Sequence, residues 1–130
     1  MIIAIGEDSL VERKLLELVL SQTNAELAIY DNGLDLWRHV MNEPPRLVIV
    51  DLLLTSLDGF SFCRLMRGHR SLSESPPILA ISSMTTPGTE ATILEHGATR
   101  FLAKPFTPEG LLRTVRELVP EIEPAQSFAG

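Results

Sequence analysis

Four apolar runs in this 130-residue chain stop at polar groups. Glu7-Asp8 follows the run from Met1 to Ile5, Asp51 follows Leu47–Val50, Ser82-Ser83 follows Ile78–Ile81, and Lys104-Pro105 follows Arg100–Leu102. Three carboxylates, a hydroxyl and an ammonium are the ingredients of a cation site with a balancing positive charge. Asp51 has four aliphatic residues before it and three after it, so it is partly desolvated. Like charges held close together raise one another's pKa. A hard divalent cation with oxygen ligands, Mg²⁺ foremost, relieves that cost, and Lys104 balances what charge remains.

The elements that must position these groups can be read from periodicity. Strand-length apolar runs at Met1–Ile5, Leu27–Tyr30, Leu47–Val50, Ile78–Ile81 and Arg100–Leu102 alternate with stretches whose apolar residues recur at helical spacing. Those stretches contain Leu10 to Val19, Leu34–Met41, Phe60–Met66, Ala91–Leu94 and Leu111–Leu118. Ser9-Leu10-Val11-Glu12 reads as a capping box, and Thr107-Pro108-Glu109 orders a cap, a helix-opening proline and an acid. Pro44-Pro45 and Pro76-Pro77 each read as a helix stop before a buried strand.

Strands alternating with helices make right-handed βαβ units and a parallel sheet covered on both faces. The runs LVIV and ILAI, apolar without alternation, suit strands buried on both sides. The fold class is therefore α/β, a doubly wound five-stranded parallel sheet flanked by five helices. In such sheets ligands bind beyond the carboxyl ends of the strands, so Glu7, Asp8, Asp51, Ser82 and Lys104 should share one rim. Each also has a plain structural explanation: a helix cap, first-turn acids on a helix dipole, or a surface turn. Coincidence at the ends of four core strands is the poorer account.

These residues resemble the response-regulator receiver domains, and in size and layout the stand-alone chemotaxis regulator of that family. The likeness runs from Met1 to about Val119. It comprises the acidic pair Glu7-Asp8, Asp51, the pair Asp58-Gly59, Ser82, and Gly97-Ala98 followed by Lys104-Pro105-Phe106. The spacings of 31 residues from Asp51 to Ser82 and 22 from Ser82 to Lys104 also fit.

The resemblance implies a flavodoxin-like receiver fold with strand order 2-1-3-4-5 over residues 1–119; residues 120–130, rich in Pro, Glu, Ala and Ser, read as a flexible tail or the start of a linker. It implies that Asp51 takes a phosphoryl group from a phosphohistidine of a sensor histidine kinase or histidine phosphotransferase. Asp8, Asp51 and the Leu53 backbone carbonyl would hold Mg²⁺ directly, with Glu7 acting through water. Lys104, after a cis bond to Pro105, would pair with the carboxylate and then with the phosphoryl oxygens. Ser82 would turn toward the phosphoryl group, Phe101 would fill the space it leaves, and the face of the fourth helix, fifth strand and fifth helix would respond. That face would meet a downstream output domain or target protein, or a second protomer in a phosphorylation-dependent homodimer.

The chain also departs from the family. Leu54-Thr55 stands where Met-Pro is frequent, which should loosen that loop, and Ser83 stands where alanine is usual. Gly6 before the acidic pair could redirect the metal loop, and Phe101 lacks the hydroxyl that many members carry. Leu53 and Met84, two residues beyond Asp51 and Ser82, are apolar where polar side chains help to place a hydrolytic water. A long-lived phosphoryl-aspartate follows from that.

Composition excludes several classes. Apolar residues make up 45% and charged residues 22%, as in folded soluble domains. The apolar runs are too short to span a bilayer, and Met1 opens straight into a strand without a leader. The single cysteine, Cys63, fits a reducing compartment, and the cytoplasm is the expected location. Net charge is −6, and the eleven scattered cations form no basic patch, so direct nucleic-acid binding is not expected. An aspartate-nucleophile phosphohydrolase would need a second aspartate where Leu53 stands. A nucleotide-binding turn would need glycines where Glu7-Asp8 stands. A degenerate receiver serving only as a protein-interaction module is the remaining alternative. No role is assigned to His39, His69 or His96, and Trp37 is expected to pack on a helix face.

Overall fold

The computed structural model describes residues 1–125. Five strands, β1 (Ile2–Gly6), β2 (Glu26–Tyr30), β3 (Leu47–Asp51), β4 (Ile78–Ser82) and β5 (Arg100–Ala103), form one parallel sheet in the order β2-β1-β3-β4-β5. Helices α1 (Leu10–Leu20), α2 (Gly33–Asn42), α3 (Gly59–Gly68), α4 (Thr89–Glu95) and α5 (Pro108–Leu118) connect and follow them. The doubly wound fold expected from the alternation of runs is the observed one.

Every residue of β3 and β4 is buried, which is why these runs show no alternation. One face of the sheet carries Ile3, Ile5, Ile49, Leu79 and Ile81 against Leu16, Leu20, Leu111 and Val115 of α1 and α5. The other carries Ala4, Val48, Val50, Ile78 and Ala80 against Leu36, Val40, Phe62, Met66 and Ile93 of α2, α3 and α4. Each of these large aliphatic side chains contributes about 1.5–3 kcal/mol on burial. Together they fix the register that brings the strand ends level. Trp37 packs edge-on against Phe62, with ring centroids 5.8 Å apart.

Helix starts follow the local chemistry. Asn32, Asp58 and Thr107 cap α2, α3 and α5 through their side chains, and Pro108 opens α5. Ser9 caps α1 by accepting from the Glu12 N–H at 3.4 Å. The reciprocal half of the capping box is not made, because the Glu12 carboxylate bonds to Lys104.

Two expectations differ from the structure. The prolines at 76 and 77 do not stop a helix directly: α3 ends at Gly68, and a short 3₁₀ turn, Arg70–Leu72, buries Leu72 before them. Residues 120–125, where the expected tail would open, are docked on the domain. Ile122 is buried, Asn24 N–H donates to Glu123 O at 2.8 Å, Ala125 N–H donates to Gln22 O at 2.7 Å, and Arg46 grips Glu121. Segment 120–125 is tied to the turn between α1 and β2 because it brings its own apolar side chain and backbone partners. The rest of the expected tail, 126–130, lies outside the described residues. Among the described residues no helix is long and apolar enough to cross a membrane.

Candidate functional site

Parallel strands deliver their last residues to one rim, and there the sequence-predicted groups meet. Carboxylate oxygens of Glu7, Asp8 and Asp51 all lie within 4.8 Å of one another. Lys104 reaches in from beyond β5, where its bond to Pro105 is cis and its N–H donates to Ser82 O at 2.8 Å. Its ammonium donates to Asp51 Oδ2 at 2.5 Å, Glu7 Oε1 at 3.0 Å and Glu12 Oε2 at 2.6 Å. Asp51 Oδ1 accepts from the Leu53 N–H at 2.8 Å.

Gly6 does not redirect the loop that follows it. It stays in the sheet opposite Tyr30 and Val50, and the Glu7 N–H still bonds to Tyr30 O. Its missing side chain leaves room for the methyl groups of Leu36 and Leu54. The loop is instead secured by Arg13, whose guanidinium donates to the carbonyls of Glu7 and Asp8 at 3.1 and 3.0 Å.

On the far side, the segment from Leu52 to Asp58 is held without a proline. Gly33 N–H donates to Thr55 O at 2.8 Å, Leu34 N–H donates to Ser56 Oγ at 3.1 Å, and Ser56 Oγ donates to Asn32 Oδ1 at 3.2 Å. These bonds hold the loop that the sequence suggested would be loosened. Gly59 explains the Asp-Gly pair physically. A Cβ there would lie 2.7 Å from Leu52 Cα and 2.8 Å from Asp51 O, so only glycine lets α3 start so close to the Asp51 backbone.

Burial sets the electrostatics. Glu7 is fully buried, and loss of solvent pushes its pKa up to about 10, with the neighbouring acids adding to the rise and Lys104 opposing it. Burial would also raise Asp51, but the adjoining Glu7, the Lys104 ammonium and the Leu53 N–H outweigh it and hold that carboxyl below its ordinary value. Glu12 is held low as well, by Glu7 first and then, against some burial, by Lys104. Burial works against the Lys104 charge, yet Asp51, Glu12 and Glu7 together hold its pKa above the ordinary value. Burial therefore favours a proton on Glu7, while its neighbours favour charge on Asp51.

The donor set fits a hard divalent cation: three carboxylates with oxygen-only chemistry. Glu7 Oε2 adds to this, being sealed from solvent without any hydrogen-bond partner. Such an atom is costly unless something positive meets it.

Other predicted residues surround this centre. Ser82 is buried, and its Oγ accepts from the Met84 N–H at 3.0 Å; this hydroxyl does not bond to the Asp51 carboxylate or the Lys104 ammonium. Phe101 is half-buried against the cluster on the α2–α4 face. Leu53 is 55% exposed beside Asp51, and Met84 is half-buried. Sequence reasoning missed Glu12 and Arg13 at the site. Glu12 could be read as half of a capping box, and Arg13 carried no signal beyond its position on the face of α1 that rises over the strand end.

Residues 3–116 match the family model described as response regulator receiver domain. The chain is 32% identical over 117 residues to the transcriptional regulatory protein GltR of Pseudomonas aeruginosa, covering 90% of this chain and 48% of that protein. It thus spans about half the length of that relative, as it does of the ycf27 regulator of Cyanophora paradoxa. Among solved structures, a response regulator from Chloroflexus aurantiacus superposes with a TM-score of 0.84 at 28% identity, over 90% of this chain and 95% of that one. The receiver domain of the Pseudomonas aeruginosa sensor histidine kinase PA1611, solved with magnesium in its active-site cleft, shares the fold with a TM-score of 0.83 at 24% identity, over 92% and 97% of the two chains.

Proposed function

This chain belongs to the response-regulator receiver-domain family of two-component signalling, and on that premise we propose that Asp51 is its phosphoryl acceptor. The donor is a phosphohistidine of a sensor histidine kinase or histidine phosphotransferase. The observation that carries the reading is the single hydrogen-bonded group of Asp51, Lys104 and the buried acid Glu7, with Asp8 alongside.

Asp51 is held ionised and therefore nucleophilic. Its carboxylate oxygen forms the new P–O bond as the P–N bond to imidazole breaks; the electron pair leaves on the ring nitrogen, which takes a proton from water. Little acid–base machinery is needed for such a transfer, only positioning and charge neutralisation. Glu7, Asp8, Asp51 and the Leu53 carbonyl are the groups that would hold Mg²⁺, Glu7 through water, and the ion would supply positive charge against the phosphoryl oxygens. Lys104 orients Asp51 and offers N–H groups to the same oxygens. The domain is a regulatory phosphoacceptor rather than a turnover enzyme.

Read-out would begin at Ser82. To reach a phosphoryl oxygen its hydroxyl gives up the Met84 N–H, and Phe101 moves toward the space it leaves. The α4–β5–α5 face then presents a different surface to an output domain, a target protein or a second protomer. The receiver unit runs through the docked segment 120–125. The side chains of Leu53 and Met84, two residues beyond Asp51 and Ser82, offer water no hydrogen bond, which favours a long-lived phosphoryl group.

Incubation with acetyl phosphate and Mg²⁺ should add one phosphoryl mass to the wild-type chain and none to Asp51→Asn. No labelling of wild type would favour the alternative, a degenerate receiver that acts only as a protein-interaction module. Decay of the labelled chain should quicken several-fold in Leu53→Asn combined with Met84→Glu; unchanged decay would remove the lifetime role from both residues.

A further inference from the structure

We propose that Glu12 is a latch on Lys104, a positioning residue that occupies the ammonium in the resting site and is exchanged for a phosphoryl oxygen when Asp51 is modified. This rests on the phosphoacceptor reading above and adds a control element to it. An ammonium has three N–H donors, and all three are used, on Asp51, Glu7 and Glu12. The Lys104 side chain is only 9% exposed, so water does not offer it a fourth partner. A phosphoryl group that needs this ammonium must therefore displace one of the three acceptors.

The three are not equal. Asp51 is the acceptor itself, and Glu7 is fully buried within the carboxylate cluster that fits a cation. Glu12 lies outside that cluster, on the first turn of α1, with 39% of its side chain exposed. It is the one carboxylate that can leave at low desolvation cost. It also has somewhere to go. The Ser9-x-x-Glu12 pattern is a capping box whose second half is unmade, so a released Glu12 can fold back to the Ser9 N–H. Two alternative bonds for one side chain make a two-state element that both the lysine and the helix start can bias.

Charge adds a direction. A phosphoryl donor approaches this rim against Asp8, Asp51 and Glu12, and Glu12 also shares the cation that should meet it. Glutamine at position 12 removes that charge and weakens the hold on Lys104, while remaining a helix former able to complete the capping box.

The test uses acetyl phosphate at saturating Mg²⁺, with the rate of mass gain followed across donor concentrations. The Asp51 oxygen displaces acetate at phosphorus, the P–O bond to the acetyl group breaking and its electron pair leaving on acetate. Glu12→Gln should be labelled several-fold faster at low donor, with a lower donor concentration at half-maximal rate. A merely structural role for Glu12 would instead lower the maximal rate. Equal or slower labelling of Glu12→Gln beside a labelled wild type would overturn the latch and leave the phosphoacceptor reading standing. An unlabelled wild type would overturn both.

Discussion

The two rims of the sheet both pair cations with glutamates, and they put the pairs to opposite uses. At the carboxyl rim Lys104 is enclosed by Glu7, Glu12 and Asp51, with acid in excess and almost no solvent. At the amino rim Arg46 meets Glu121 in a two-pronged pair of 2.7 and 2.9 Å, with half of the Glu121 side chain in water. The hydrogen bond from Arg46 lowers the Glu121 pKa. Burial raises that of Glu7 although a cation touches it. One residue type, bonded to a cation in each place, titrates in opposite directions because solvent is present at one end and missing at the other. An exposed pair is self-sufficient and fastens the segment that follows α5. A buried, over-acid cluster has more carboxylate than its one lysine can balance, a donor set that fits a cation.

The sharpest way to break this contrast is to remove the buried cation. Lys104→Met leaves Asp51 charged and almost cut off from solvent, and urea unfolding without metal should show a loss of about 3 kcal/mol at neutral pH. Added Mg²⁺ should restore part of it. A loss no larger than that of a surface variant would mean that the rim is wetter than its burial implies.

A smaller effect is expected from pH. The unfolded chain ionises Glu7 near 4.5, while the folded, metal-free chain keeps the proton up to about 10. Between those values the folded state binds more protons, so its stability falls as pH rises. Lys104 acts in the same sense at higher pH, contributing stability that is complete below its ordinary 10.5 and lost above it. Melting temperatures in chelator should therefore decline from mildly acidic to mildly alkaline buffer, and Glu7→Gln should flatten the decline. A slope identical in wild type and Glu7→Gln would assign the dependence to other groups.

The smallest effect belongs to the amino rim. Arg46→Gln should lower the melting temperature less than Lys104→Met, and the difference from wild type should shrink in high salt, because exposed pairs are screened. A large, salt-insensitive loss would show the two rims to be more alike than their exposure suggests.

Much of the fold could be read in advance because burial on two faces leaves a mark in one dimension. Runs such as Leu47–Val50 and Ile78–Ile81 have no polar residue to spare, so Asp51 and Ser82 stand out where the runs stop. The boundaries that were misread, at Pro76-Pro77 and after Pro120, depend on single buried side chains, Leu72 and Ile122. Neither is large enough to set up a periodic signal. Gly6 was misread for a related reason: its role is space for Leu36 and Leu54, which lie far from it in sequence.

For this protein the sequence alone determined the βα alternation, the rim on which Glu7, Asp8, Asp51, Ser82 and Lys104 gather, and the acid excess that fits a cation. These follow from hydrophobic periodicity and from the carboxyl ends of parallel strands sharing one edge. Only the tertiary structure decided which partner each polar side chain takes. Glu12 can serve its own helix or a lysine 92 residues away, Arg13 can reach solvent or the carbonyls of Glu7 and Asp8, and Ser56 can face water or bind Asn32. Those choices rest on distances between elements that are remote in the chain, and local spacing carries no record of them.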